Sequence, residues 1–321
     1  MTGSVHIIVQ NERIKYEFVL HRNLTIIRGD SATGKTTLVD MIREHKNLGE
    51  ESGVELFCEK ECIVVEGNGW EKQLSDVKQS IVFVDEGNRF VSSVEFARFI
   101  QGTDNYYVLV TREGLSTLPY SVEEIYGIRS SGKYGGLKPL YHEMYRMYAN
   151  KVDTSELRPK KVITEDSNAG YQFFASVCNE TGIKCVSAAG KSNVCSELLK
   201  CKDEDVVVIA DSAAFGSEIE KALKVIGQSK HVVLYLPESF EWLILVSDVL
   251  NDKEVRTMSE QWETYIESSQ YFSWERFFTD LLIKKSRGSY LEYNKKNLNK
   301  TYLSAAIKRK ILKQVKWWKE T

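Results

Sequence analysis

The sequence predicts an α/β protein of two parallel-sheet domains followed by a helical region. Three observations carry this expectation. An apolar run leads through a glycine-rich turn into a helix over 23–45. Strand and helix patterns then alternate over 161–250, and no strand pattern follows Lys253. Strands that alternate with helices imply βαβ units and a doubly wound sheet. The expected boundaries are 1–140, 155–252 and 253–321.

The composition suits such a fold. With 321 residues, 42% of them hydrophobic and 27% charged, the chain can bury a sizeable core and is not disordered. The four prolines exclude a Pro-rich module, and a formal net charge of -2 excludes a uniformly basic coat for nucleic acid. The opening MTGSVHIIVQNERIKYEF alternates as a strand does and lacks the basic and apolar regions of a signal peptide. The apolar stretches IVFV and WLILV fall far short of the ~20 residues that span a bilayer. A soluble, cytoplasmic protein with no membrane partner is expected. The six cysteines form no CxxC pair, so free thiols in a reducing compartment are expected rather than a zinc site.

In the first segment, NLTIIRG (23–29) is a short strand and 35–45 a helix. VELFCE and CIVVEG are strand-like runs around a charged turn, where Cys58 and Cys62 can meet in a hairpin. SIVFVDE (80–86) is an unbroken β-branched and aromatic run, as for a strand buried on both faces, and YYVLVTRE (106–113) repeats it. SSVEFARFI between them has helical spacing. RSSGKYGGLKPL (129–140) reads as a loop, and LYHEMYRMYANKV after it as a helix. In the second segment, strands are expected at 161–165, 184–189, 205–211 and 231–237, with helices over 169–181, 193–200, 216–227 and SFEWLILVSDVL.

Gly29-Asp30-Ser31-Ala32-Thr33-Gly34-Lys35-Thr36 fits the P-loop pattern G-x-x-x-x-G-K-[ST] without a gap, between a strand and a helix. In such a loop, running here to Thr37, glycines turn the backbone so that its N–H groups face phosphate oxygens. Lys35 would supply charge to the β- and γ-phosphates, the Thr36 hydroxyl would ligate Mg²⁺, and the helix start would add its dipole. The expected cofactors are ATP and Mg²⁺. Ile81 to Val84 followed by Asp85 and Glu86 resembles a Walker B strand. Asp85 would hold Mg²⁺, and Glu86 would orient or deprotonate the attacking water. Arg112, after the next apolar strand, would sense the γ-phosphate. Gly190-Lys191-Ser192 lacks the first glycine of a second P-loop and reads as a strand-to-helix loop.

These motifs make the first ~115 residues resemble the ATPase domains of ABC-type and related P-loop proteins. The chain departs from them between Lys35 and Asp85, where no LSGGQ-like signature and no helical arm fits. Nucleotide binding is therefore better supported than fast turnover.

VITEDSNAG (162–170), GIKCVSAAGKSN (182–193) and DVVVIADSAAFGSEIEKAL (205–223) are similar in order and spacing to a Toprim domain. That resemblance implies a Mg²⁺ site on Glu165 and Asp211, with Gly216 at the glycine that often follows. The second Asp of the D-x-D pattern is Ala213 here, which leaves a poorer metal site. Asp166, Glu238 and Glu241 could add ligands. A P-loop ATPase ahead of a Toprim-like domain resembles the overcoming-lysogenization-defect family of ATPase–nucleases, which act on nucleic acid, often in antiviral defence.

The segment 284–321 carries twelve Lys and Arg against Glu292 and Glu320, with Tyr290, Tyr293, Tyr302, Trp317 and Trp318 among them. Such a segment can bind unpaired nucleic acid. Ile307, Ile311, Leu312 and Val315 follow helical spacing, so it also reads as a basic helix packed on its own chain, with Lys308, Arg309 and Lys310 exposed.

The expected function is an ATP-binding, ATP-hydrolysing protein that controls a Toprim-like nucleic-acid effector. Expected partners are nucleic acid and either a second copy of the chain or another protein. Two further readings fit the same residues: a nucleotide-dependent switch whose Toprim-like domain only binds, and a P-loop small-molecule kinase. The Asp85-Glu86 pair suits water activation better than kinase chemistry.

Overall fold

The computed structural model describes residues 1–30, 33–131, 140–148, 159–201, 204–227, 231–315 and 318. They divide into two compact units. Unit 1 comprises 1–149 with 262–272, and unit 2 comprises 150–261 with 273–321. The class is α/β, with parallel strands in each unit. Among the described residues, no helix is long and apolar enough to cross a membrane.

Unit 1 runs β1 (Val5–Gln10), β2 (Ile14–Leu20), β3 (Leu24–Ile27), α1 (Lys35–Leu48), β4 (Glu55–Cys58), β5 (Cys62–Val64), α2 (Trp70–Leu74), β6 (Ile81–Val84), α3 (Val94–Ile100), β7 (Tyr106–Val110), β8 (Ile125–Ser131) and β9 (Leu140–Arg146). They form a nine-stranded sheet in the order β4-β1-β2-β9-β8-β3-β7-β6-β5. β3, β7, β6 and β5 are mutually parallel. β3, β6 and β7 are buried at every position, which explains why they read as unbroken apolar runs rather than alternating ones. β1 and β2 form an antiparallel hairpin with the alternation of a half-buried surface.

Two expectations in this unit are corrected. Leu140–Arg146 is a strand, not a helix: β9 pairs antiparallel with β8 and parallel with β2. Its apolar residues satisfy helical spacing, but alternation also fits, and β2 and β8 each offer it an open edge. β8 itself covers the start of the stretch read as a loop, and 132–139 lie outside the described residues. β4 and β5 do not form a hairpin with each other. They pair with β1 and β6, at opposite margins of the sheet.

Unit 2 runs β10 (Lys161–Thr164), α4 (Ala169–Glu180), β11 (Lys184–Ser187), α5 (Val194–Leu199), β12 (Val206–Ile209), α6 (Ile219–Ile226), β13 (Val232–Tyr235), α7 (Phe240–Val246), α8 (Lys253–Met258), α9 (Trp274–Ser286) and α10 (Ala305–Leu312). Its four strands are all parallel, in the order β11-β10-β12-β13. The chain order therefore reverses direction between β10 and β12, the crevice where open α/β sheets place ligands.

The expected separate region 253–321 does not stand alone. Residues 262–272 join unit 1, and 253–261 and 273–321 join unit 2. Ile311, Leu312 and Val315 are buried, so the basic segment packs on its own unit. Arg309 and Lys310 are exposed, as expected. Lys308 is not: it is buried and ion-paired with Glu180, because its long aliphatic stem covers apolar surface while the ammonium reaches a carboxylate.

Candidate functional site

β3, β7 and β6 are level at their C-terminal ends, since Ile27 pairs with Val110 and Leu109 with Val84. The segments that follow them, at Gly29, Thr111-Arg112 and Asp85-Glu86, therefore emerge side by side. The sequence-predicted nucleotide residues are brought together by this register.

After β3 the chain turns through Gly29 and Gly34, with φ of +138° and +91°, a region that L side chains rarely adopt. At Gly34 there is a second reason for glycine. An added Cβ would lie 2.7 Å from the Tyr16 hydroxyl and 3.2 Å from His142 Cε1. Ser31 and Ala32 lie outside the described residues. Lys35 is buried, and its Nζ donates to the Gly29 carbonyl at 2.7 Å, the Asp30 carbonyl at 2.5 Å and Thr33 Oγ1 at 3.1 Å. The ammonium thus draws the loop around itself. α1 starts at Lys35 with no acidic residue in its first turn and no side-chain cap from Gly34, so its opening N–H groups favour an anion.

Tyr16 and His142 escaped the sequence reading. They are register partners on β2 and β9, and their rings stack with centroids 4.7 Å apart. Tyr16 donates to the Gly34 carbonyl at 2.8 Å and also hydrogen-bonds Thr37. Burial pushes its phenol up to about 12, so it remains a donor. Burial lowers the His142 pKa and so favours the neutral ring, and its Nδ1 is buried without a hydrogen-bond partner. No local pattern marks either residue, because neither is contiguous with the Gly29 to Gly34 turn.

The Thr36 hydroxyl lies close enough to the Asp85 carboxylate to favour its charged form. Asp85 is half-buried, and its Oδ1 is enclosed with no partner. Burial raises its pKa, and Asp40 adds to this, while the Glu86 N–H, Thr36 and Arg43 oppose it. A carboxylate oxygen beside a threonine hydroxyl, with no donor of its own, could supply two of the oxygen ligands that a hard divalent cation takes. Glu86 is ion-paired with Arg112, so the two expected catalytic residues meet each other.

In unit 2, Glu165 and Asp211 follow β10 and β12. They too are brought together: Glu165 Oε2 accepts from the Asp211 N–H at 3.0 Å. Both border a recess of about 270 Å³, open space at its mouth included, with Thr164, Asp166, Phe174 and Phe240. Burial raises the Glu165 carboxyl to about 7, helped by Glu275 and Asp166 and opposed by the Asp211 N–H and Lys191. Asp211 is held well above the usual carboxylate range by burial and by Glu275, Glu165, Glu241 and Asp166.

The added ligands considered for this cluster are otherwise engaged. Asp166 is raised by burial and accepts from the Asn168 and Tyr171 N–H groups at 3.2 and 3.0 Å, at the start of α4. Glu241 accepts from the Tyr293 hydroxyl at 2.8 Å and faces Lys295 at 3.5 Å, while Lys295 also pairs with Glu275 at 2.6 Å. Among the described residues, no three His, Cys, Asp or Glu side chains form a metal-holding group. Ala213 is buried, with its N–H donating to the Glu238 carbonyl at 3.2 Å. Lys191 lies in a short 3-10 turn after β11 and donates to the Ala214 carbonyl at 3.1 Å.

A scan against protein-family models and a search of curated proteins each find no match for this chain.

Proposed function

We propose that unit 1 binds ATP with Mg²⁺ and hydrolyses it slowly, and that this cycle controls a unit 2 that engages nucleic acid without cutting it. The observation that carries the first part is the Thr36 hydroxyl close to the Asp85 carboxylate, beside a loop gathered around Lys35. Gly29 to Thr37 would cradle the phosphates, Lys35 would meet the β- and γ-phosphates, and Thr36 and Asp85 would hold the cation. A Mg²⁺ held by Thr36 and Asp85 would supply positive charge against the negative charge that develops in phosphoryl transfer. Glu86 would take a proton from water, and Arg112 would hold it until a γ-phosphate competes for the guanidinium.

The test is a titration of a fluorescent ATP analogue, with and without Mg²⁺, followed by single-turnover phosphate release. Binding that requires neither Mg²⁺ nor Lys35 would overturn the reading.

The switch-like reading of unit 2 is favoured by Lys295, which sits among the carboxylates with Glu275 and Glu241, and by the buried Ala213. A cation already neutralising the cluster opposes a second one. Incubation of plasmid and single-stranded DNA with Mg²⁺ or Mn²⁺ tests this. Degradation that Glu165→Gln removes would restore the nuclease reading.

A further inference from the structure

The turn between β4 and β5 is three residues long, yet it joins the two margins of the nine-stranded sheet. Cys58 ends β4 and Cys62 begins β5. Both sulfurs lean on the same residue: Cys58 Sγ accepts from the Lys60 N–H at 3.4 Å, and Cys62 Sγ donates to the Lys60 carbonyl at 3.8 Å. The two thiols are close enough for each to shift the titration of the other. Cys58 is half-buried and Cys62 is buried, so one sulfur is reachable and the other lies behind it.

We propose that Cys58 and Cys62 form a hydroperoxide-sensitive dithiol, with Cys58 as the attacking sulfur and Cys62 as the resolving one. The Lys60 N–H donates to the Cys58 sulfur, and with the neighbouring Cys62 thiol it brings the Cys58 pKa down to about 7, while Cys62 is raised. The Cys58 thiolate attacks one oxygen of hydrogen peroxide. An S–O bond forms, the O–O bond breaks, and the departing hydroxide takes a proton and leaves as water. Cys58 is then a sulfenic acid. The Cys62 sulfur attacks it, an S–S bond forms, and the S–O oxygen leaves with the Cys62 proton as a second water. Two thiols and one peroxide give one disulfide and two waters.

Cys178 and Cys185 make a second pair of neighbouring thiols that shift each other's titration, in unit 2. There the sulfur with the lowered pKa is Cys178, which is 1% exposed. The pair has the chemistry but lacks the access. Cys195 is half-buried with its pKa raised by burial, which gives access without the thiolate. Cys58 combines both, and this distinction makes the proposal specific. It does not depend on nucleotide binding.

The experiment treats the full chain with hydrogen peroxide at neutral pH, blocks remaining thiols with N-ethylmaleimide, and maps the cysteines by mass spectrometry. The expected result is a 58–62 peptide two hydrogens lighter and unalkylated, restored by dithiothreitol, while Cys195 stays alkylated. In Cys62→Ser, dimedone should capture a sulfenic acid on Cys58. Full alkylation of Cys58 and Cys62 under conditions that oxidise Cys195 overturns the proposal, and this wild-type measurement needs no variant to fold. A Cys62→Ser protein with native circular dichroism and no dimedone adduct on Cys58 would also overturn it.

Discussion

The Tyr16 hydroxyl donates to the Gly34 carbonyl at 2.8 Å, while its ring stacks on His142. An aromatic pair on neighbouring strands thus fixes Gly34, at the start of α1, from behind. Tyr16→Phe keeps the stack and removes the bond, a loss of about 0.5–1.5 kcal/mol. The expected outcome is a several-fold weaker ATP analogue with an unchanged fold, read by titration and circular dichroism. Unchanged affinity would show that the loop holds its shape unaided.

Lys35→Ala should abolish binding of the ATP analogue while α1 remains helical. The ammonium anchors the Gly29 and Asp30 carbonyls, and under the proposed function it would offer the phosphates their point charge. A side-by-side titration in Mg²⁺ reads this. Equal affinity of the two proteins removes the P-loop assignment.

Glu86→Gln should leave nucleotide bound and slow phosphate release by on the order of 10²–10⁴-fold, since an amide is no base. Arg112→Ala frees Glu86 of its partner, and under the proposed competition it also loses the γ-phosphate contact. Its release rate should fall while analogue affinity changes little. Single-turnover assays separate the two effects.

The acidic cluster predicts how unit 2 responds to pH. Glu165 has a folded pKa of about 7, above its ordinary value, so the folded state holds the proton more tightly. Its stabilising contribution is complete below about pH 4 and is lost as pH rises to about 7. Asp211 and Asp166 are shifted in the same direction. Glu165→Gln should therefore raise stability at pH 8, by on the order of 1–3 kcal/mol, and change little at pH 4. Thermal denaturation at both pH values checks the sign, and a variant less stable at pH 8 would contradict it.

If the basic segment contacts nucleic acid, it does so through its outward residues. Arg309→Glu, Lys310→Glu and Lys313→Glu together should lower the salt slope of single-strand binding by about 2 and leave the fold intact. Lys308→Met should act differently. It removes the pair with Glu180 and lowers stability, with little effect on the slope. Identical behaviour of the two proteins would mean that the outward face is not the contact.

The strand, turn and helix around Gly29 to Lys35, and the strand that ends at Asp85, were legible because each is contiguous and marked by an unbroken apolar run. Leu140–Arg146 was not legible, because its spacing serves a helix and a strand equally and the choice rests with β2 and β8, far away in the chain. Tyr16 and His142 were hidden for the same reason. The basic segment showed its apolar face in the sequence, but the burial of Lys308 depends on Glu180, which no periodicity reveals.

The chain passes from one unit to the other three times, after 149, 261 and 272. The short returning segment is stitched into unit 1: the Gly3 N–H donates to the Glu263 carbonyl at 2.8 Å, the Ser268 N–H to the Met1 carbonyl at 3.0 Å, and Asn23 Nδ2 to the Phe272 carbonyl at 3.2 Å. Unit 2 is consequently joined to unit 1 at both ends of that stitch as well as after 149. A single backbone cut after 149 would release neither unit, and no uninterrupted stretch of the gene encodes either unit without part of the other.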